Sequence, residues 1–516
     1  MHKSSQYFAY AIHKEKNDQV HIFNQKLNEK CLLKSFSGRV VDLSFAHYDA
    51  DVLLGCVDEL GLKIFEISKD EDSTKMKALI VYHLTAPLSS IDRIESTGGS
   101  LDITSRIIWC MYIPDGSESS QVPNYNEASK VFVLTRRTRA YIFNLSLIGK
   151  KLDCSRELTA DEISTGHLIL DEHKSTILSV SFSPDGSAVA TSCLDGEVRF
   201  FKISFDPKAT QSQCLKNWYP HEDRPVTSLY FLDDHKNPPS DVQFWNFILT
   251  GTDYNREIKI WCCLKWECMQ TIRFSNQSPF GDESLSAGQQ PPMFLPPQIK
   301  TCIDLSSKYL VLSDLTRKCF YVLHLFEDID NDVAKCNAIS EFILPIPAVS
   351  FAIIDSQEIK YNQLNKNKNE QINEDLNSNE KSLRISAAND ALNALLSSSS
   401  SILSQFHELQ AQDPENNFST IRLYCIQTKQ LQELTILLME YKSDSNNFTE
   451  VTTATNSTSS TTQLGAQVNI AQNQSRNSDQ TITDKKIAAL SINSLKSSNL
   501  LNKVCLKLNP IFIELQ

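Results

Sequence analysis

No stretch of this 516-residue chain approaches the ~20 apolar residues that a membrane span requires. The opening residues, MHKSSQYFAYAIHKEKN, lack the apolar run of a secretory signal. The fourteen cysteines follow no framework spacing, so in the absence of a signal they read as reduced core thiols. Asn-X-Ser/Thr sequons, such as those at Asn144 and Asn456, then read as silent. Positive charge is in deficit: 50 Lys and Arg against 62 Asp and Glu leave −12. That balance argues against whole-surface binding to phosphate backbones, though it leaves room for a local basic patch. No Walker-type phosphate loop, zinc-protease helix, kinase signature or Gly-X-Ser-X-Gly elbow is present. These absences predict a soluble, intracellular protein with no catalytic, cofactor-binding or metal-binding residue.

What is present is uneven. All five Trp lie before residue 270, and twelve of the fourteen Cys lie before residue 340. After about Asp355 the chain turns to Asn, Gln, Ser and Thr, a composition that buries too little apolar surface to order itself. The best-formed repeat is HKSTILSVSFSPDGSAVATSCLDGEVRFFKI, from His173 to Ile203. ILSVSFSP alternates as a strand, Asp185-Gly186 marks a turn, and Asp195-Gly196 closes a tight hairpin into a third strand. Three short strands at this rhythm make most of one four-stranded propeller blade.

A degenerate copy follows at once, as HEDRPVTSLYF, FILTGTDYNREIKIW and CLKWECMQTIRF. Looser copies run over 37–67, 106–145 and 298–325. A last copy is read as ISEFILPI and AVSFAII (339–354) followed, after an insertion, by TIRLYCIQ (420–427). YFAYAIH and QVHIF form half a blade at the N-terminus, and QLQELTILL (430–438) is expected to complete it, closing the ring and removing free sheet edges. The prediction is all-β: a seven-bladed WD40-type β-propeller over residues 5–440. A low-complexity insertion is expected at 356–419 and a mostly disordered Ser/Thr/Asn/Gln-rich tail over 441–516. SLRISAANDALNALL (382–396), ILSQFHEL (402–409) and KKIAALSINSLKSSNLL (485–501) have apolar residues near helical spacing. The two in the insertion read either as weakly structured loop or as helices that form on a partner's groove. The last thirteen residues, VCLKLNPIFIELQ, are apolar and strand-like.

The polar residues of the repeats suit a buried chain of hydrogen bonds. His173 precedes its first strand, Asp195 sits in the hairpin, and Phe201 takes the slot that usually holds Trp. The next copy offers His221, Asp253 and Trp261, with Thr250 or Thr252 between. In such a chain the Asp accepts from the His, the His bonds a hydroxyl, and the hydroxyl accepts the indole N–H. The repeat accounts for this spacing without a catalytic triad. Cys262, Cys263 and Cys268 lack knuckle spacing and a following histidine, so core packing is preferred over zinc. Strand alternation puts Cys262 and Cys263 on opposite faces. Arg136, Arg137 and Arg139 sit at a turn, where they serve either as a solvated hairpin or as a contact to RNA or an acidic partner.

Over 214–274 the chain resembles a specific family. Phe244-Trp245, Asn255-Arg256-Glu257 leading to Trp261, and Thr271-Ile272-Arg273-Phe274 are similar to the N-terminal propeller of the enhancer of mRNA-decapping scaffold, called VARICOSE in plants. YAIHKEKNDQVHIFN, SFSGRVVDLSFAH, ISEFILPIPAVSF and LYCIQTKQLQEL extend the match in order across about 7–438. The resemblance implies a non-enzymatic, cytoplasmic scaffold in processing bodies. It implies partners, namely the decapping catalytic subunit and its activators, which bring about cap removal and mRNA decay. The family's long helical region, which oligomerises and binds the catalytic subunit, has no counterpart in these 516 residues. Direct binding of that subunit is therefore not expected of this chain. A generic WD40 adaptor, such as a ubiquitin-ligase substrate receptor, is the alternative.

Overall fold

The computed structural model describes residues 1–85 apart from 3, 15–17, 35, 37, 48–50, 60 and 70–74. It then describes 105–111, 130–148, 157–159, 163, 165–205, 212–237, 245–274, 299–359, 417–427, 431–440, 468–472 and 509–511. The strands group into seven antiparallel meanders, the blades of a propeller. Blade four is Ile177–Phe182, Ala188–Cys193, Val198–Lys202 and Gln213–Trp218; blade five is Val226–Phe231, Phe247–Thr252, Glu257–Cys262 and Glu267–Phe274. Blades two, three and six follow the same four-strand order from Val40, Ile107 and Ile299. Glu157–Thr159 adds in parallel to the outer strand of blade two. Among the described residues the single α-helix is the one-turn Leu145–Ile148, and no helix is long and apolar enough to cross a membrane.

Second strands are buried along nearly their whole length, as in Ala188–Cys193 and Phe247–Thr252. Each is covered on both faces, because neighbouring blades pack face to face. The core is therefore a ring of seams. Phe200 and Val198 of blade four meet Val226, Leu229, Ile248 and Trp261 of blade five. Leu249, Ile258, Ile260 and Ile272 of blade five meet Leu310, Leu312 and Tyr321 of blade six. Each such side chain contributes about 1.5–3 kcal/mol by leaving water.

The N-terminal blade has three strands, Tyr7–Ile12, Gln19–Asn24 and Glu29–Leu33. The turn between its first two carries Asp18, which accepts from the Val40 N–H at 2.7 Å, where blade two begins. In the other blades this is the rim that carries the turns between second and third strands. The three strands are thus the second to fourth of the pattern, and the inner one has no counterpart among the described residues.

The expected closure through QLQELTILL is not what forms. Leu431–Glu440 pairs with Asn417–Gln427 inside blade seven, because the connection at 428–430 is too short to carry it elsewhere. The ring closes by packing instead: Phe8 and Phe23 of blade one meet Ile354, Tyr424 and Leu431 of blade seven. The Phe8 and Tyr424 rings lie 4.5 Å apart, and Ser5 Oγ donates to the Ile354 carbonyl at 3.0 Å. The blade boundary also moves. Val333–Ile343 is the outer strand of blade six, and Ala348–Ile359 opens blade seven, so ISEFILPI and AVSFAII belong to different blades. Within the tail, Val468–Gln472 pairs with Glu267–Phe274 and Asn509–Ile511 with Leu431–Glu433. Both short pairings fall within the tail expected to be mostly disordered over 441–516, the second in its strand-like last segment. The candidate helices at 382–396, 402–409 and 485–501 lie outside the described residues.

Candidate functional site

The hydrogen-bond chain forms, but with different acids. In blade five His221 Nε2 lies 2.8 Å from Thr250 Oγ1, and Trp261 Nε1 donates to the same hydroxyl at 2.9 Å. The acid facing His221 Nδ1 is Glu257, at 3.1 Å, not Asp253. Asp253 is a half-exposed turn residue whose nearest cation, Arg256, is 4.0 Å away. Thr252 turns aside and donates to the Pro225 carbonyl at 2.7 Å. In blade four His173 Nε2 lies 2.6 Å from Thr191 Oγ1, and the acid on its other side is Glu197, 3.8 Å from Nδ1. Asp195 stays within its own turn, accepting from the Cys193 thiol at 2.6 Å and the Glu197 N–H at 3.2 Å. Phe201 offers no donor, so this chain stops at Thr191, as expected.

The signal that would have found these acids is strand alternation. Glu257, Lys259 and Trp261 share one face, as do Glu197, Arg199 and Phe201. Counting back four residues from the Trp or Phe slot reaches the glutamate in both blades. The turn aspartates are used otherwise: Asp195 accepts within its own turn and Asp253 is exposed.

Glu257 is the hub. It accepts from Arg224 at 2.7 Å and from Arg273 Nε at 2.9 Å, besides facing His221. Burial alone would raise its pKa, but the hydrogen bonds from Arg224, Arg273 and His221 outweigh that and hold it at about 2. Burial lowers both His173 and His221 to about 4, so both imidazoles are neutral. Thr250 and His221 have no exposed surface. In blade five both ring nitrogens and the hydroxyl are engaged inside the blade, whereas in blade four His173 Nδ1 is buried without a hydrogen-bond partner.

The family-like residues hold the ring together. Trp245 Nε1 donates to Asp185 of blade four at 3.3 Å; Phe244 lies outside the described residues. Asn255 uses both ends of its amide: Nδ2 donates to the Ile299 carbonyl of blade six at 2.7 Å, and Oδ1 accepts from Thr227 at 2.8 Å. Gly251 makes room for it, since a Cβ there would collide with Asn255 Oδ1. Ile272 is fully buried, and the Phe274 ring sits 5.0 Å from Tyr321 of blade six.

Cys262 packs in the seam between blades five and six, whereas Cys263 and Cys268 pack on the blade-four side, opposite faces as alternation requires. His173, Cys193 and Glu197 bring possible ligand atoms within 4.8 Å of one another, a grouping the sequence reading did not single out. There Arg199 donates to Glu197 at 2.8 Å and the thiol donates to Asp195, which explains the cluster without an ion. Arg136 is buried and donates to the Glu59 carbonyl at 3.0 Å, and the Arg137 carbonyl accepts from the Ile177 N–H at 2.7 Å. Their turn ties blades two, three and four, so the buried Arg136 is not a surface contact for RNA.

Strand order, inter-blade seams and the His–Thr–Trp chain define a seven-bladed WD40-type propeller. A family profile described as the WD40 region of Ge1, enhancer of mRNA-decapping protein, matches residues 1–330. The chain belongs to that family. It is similar to enhancer of mRNA-decapping protein 4 of Danio rerio, at 32% identity over 86% of this chain and 28% of that protein. With the Homo sapiens protein of the same name the identity is 34%, over 68% of this chain and 23% of that one. The match thus spans about a quarter of these relatives' length. Among solved structures, the WD40 domain from Toxoplasma gondii coronin aligns over 68% of this chain and 71% of its own, at 12% identity and a TM-score of 0.44.

Proposed function

We propose that this protein is a non-enzymatic scaffold of cytoplasmic mRNA decapping and 5′-to-3′ decay, working in processing bodies. The propeller is the docking platform, and the decapping catalytic subunit and its activators are the partners it helps to gather. Catalysis belongs to the catalytic subunit. The observation that carries this reading is the family match over residues 1–330. The repeat residues support it: His173, His221, Thr250 and Glu257 are spent on blade structure, which leaves the rims and loops as the variable, partner-facing parts. The reading predicts that the purified chain releases no cap from a capped RNA, and that the tagged chain concentrates in cytoplasmic granules with decapping factors. Cap hydrolysis by the chain alone, or a diffuse distribution apart from those factors, would contradict it.

A further inference from the structure

Residues 233–237 follow the first strand of blade five, Val226–Phe231, on the rim that carries the turns between first and second strands. They bond to three other blades. The His235 N–H donates to the Leu305 carbonyl of blade six at 2.8 Å, and Ser307 Oγ of the same blade donates to the Asp233 carbonyl at 2.8 Å. The His235 ring hydrogen-bonds the backbone of Met111, just past the inner strand of blade three. Lys236 Nζ donates to Asp355 at 2.7 Å, to Ser356 Oγ at 3.0 Å and to the Ser356 carbonyl, all on the inner strand of blade seven. Blades three and seven are not neighbours of blade five. Bonds to both therefore carry the segment across this mouth of the central channel as a strap.

The seat of the strap is strained by charge. Asp233 Oδ2, and Oε2 of Glu327 on the third strand of blade six, are buried atoms without a hydrogen-bond partner. Burial raises Asp233 to about 7, with the charges of Glu327 and Asp185 adding to it and the Trp245 N–H opposing it. Burial raises Glu327 to about 7 as well, with Asp234 adding and Lys308 opposing. The other groups here are neutral or paired. Burial pushes the Cys263 thiol, which faces Asp233, up to about 12, and lowers His235 to about 4. Lys236 is paired with Asp355, and Lys308 reaches Glu358 at 2.6 Å. An acid whose pKa is raised in place prefers to be protonated there, so the seated strap holds protons that a lifted one releases. Seating is firmest below the ordinary values of 3.8 and 4.5, weakens as pH rises to about 7, and then levels off.

We propose that residues 233–237 form a proton-operated latch over one mouth of the central channel, seated while Asp233 and Glu327 hold their protons and lifting when they lose them. The latch is independent of the docking reading, which stands or falls on proximity labelling of the intact chain. The test is hydrogen exchange by mass spectrometry on the purified full chain at pH 5.5, 6.5, 7.5 and 8.5, with amide rates corrected for their intrinsic pH dependence. Opening at 233–237 is expected to rise about tenfold or more from pH 5.5 to 7.5 and to level off above that. The core strand Phe247–Thr252 should show no such rise. Asp233→Asn keeps the shape of the side chain and an acceptor for the Trp245 N–H while removing the charge. It is expected to flatten the rise and to increase the melting temperature at pH 7.5. Glu327→Gln should act in the same direction, which keeps the test available if one variant folds poorly. Protection at 233–237 that does not change with pH, or an undiminished rise in both variants, overturns the latch. A rise shared equally by Phe247–Thr252 also overturns it, because that reports loss of the whole fold and not a lifting strap.

Discussion

Replacing Glu257 by Gln removes the single negative charge from a site that holds two arginines and a histidine. The side chain keeps its shape, so the change isolates charge from packing. The fall of its pKa from the ordinary 4.5 to about 2 corresponds to about 3 kcal/mol, at ~1.4 kcal/mol for each tenfold change in proton affinity. Arg224 and Arg273 are 42% and 58% exposed, and solvent screening of such partners lowers the expected loss to about 2 kcal/mol. For a domain of this size that is a drop of roughly 3 °C in melting temperature at pH 7. Because the folded pKa is depressed, this stabilisation is complete above about 4.5 and is lost as pH falls towards about 2. Melting curves of the wild type and Glu257→Gln at pH 7, 5 and 3.5 should therefore converge towards the acid end. Equal melting temperatures at pH 7, or a gap that does not shrink with acid, would refute the hub role of the charge.

His173 and His221, both depressed to about 4, support stability that is present above their ordinary 6.5 and lost as pH falls through about 4; imidazole NMR signals titrating above pH 6 would contradict their burial as neutral rings. Trp261→Phe converts blade five to the blade-four pattern by deleting the indole bond to Thr250, at an expected cost of about 1–2 kcal/mol in urea unfolding. A loss much larger than that would point to a packing role for the indole beyond the bond. Gly251→Ala should destabilise the wild type strongly but cost much less in an Asn255→Gly background, where the colliding amide is gone; an additive double-mutant cycle would show that the two residues do not meet.

The blade plan was legible because a strand's period is two and its turns are marked by Asp-Gly pairs, as at Asp185-Gly186 and Asp195-Gly196. The order of strands around the N- and C-terminal blades was not. An outer strand such as Val333–Ile343 and an inner one such as Ala348–Ile359 share the same alternation, and the residues do not say which side of a blade boundary each lies on. The buried chain was half legible. His221, Thr250 and Trp261 have the right spacing, but the acid was sought in the turn, where Asp253 points to solvent. Asn255 was visible as part of a family-like string, yet its role depends on Ile299, 44 residues away, and local pattern carries no information about that contact.

The propeller of this family member is proposed to work within the decapping machinery as a docking platform. Proximity labelling from the intact tagged chain, read by quantitative mass spectrometry, tests it most directly. Enrichment of the decapping catalytic subunit and its activators over a matched cytoplasmic control is the expected result. Recovery of a ubiquitin ligase in their place, or no enrichment of decapping factors at all, would contradict it.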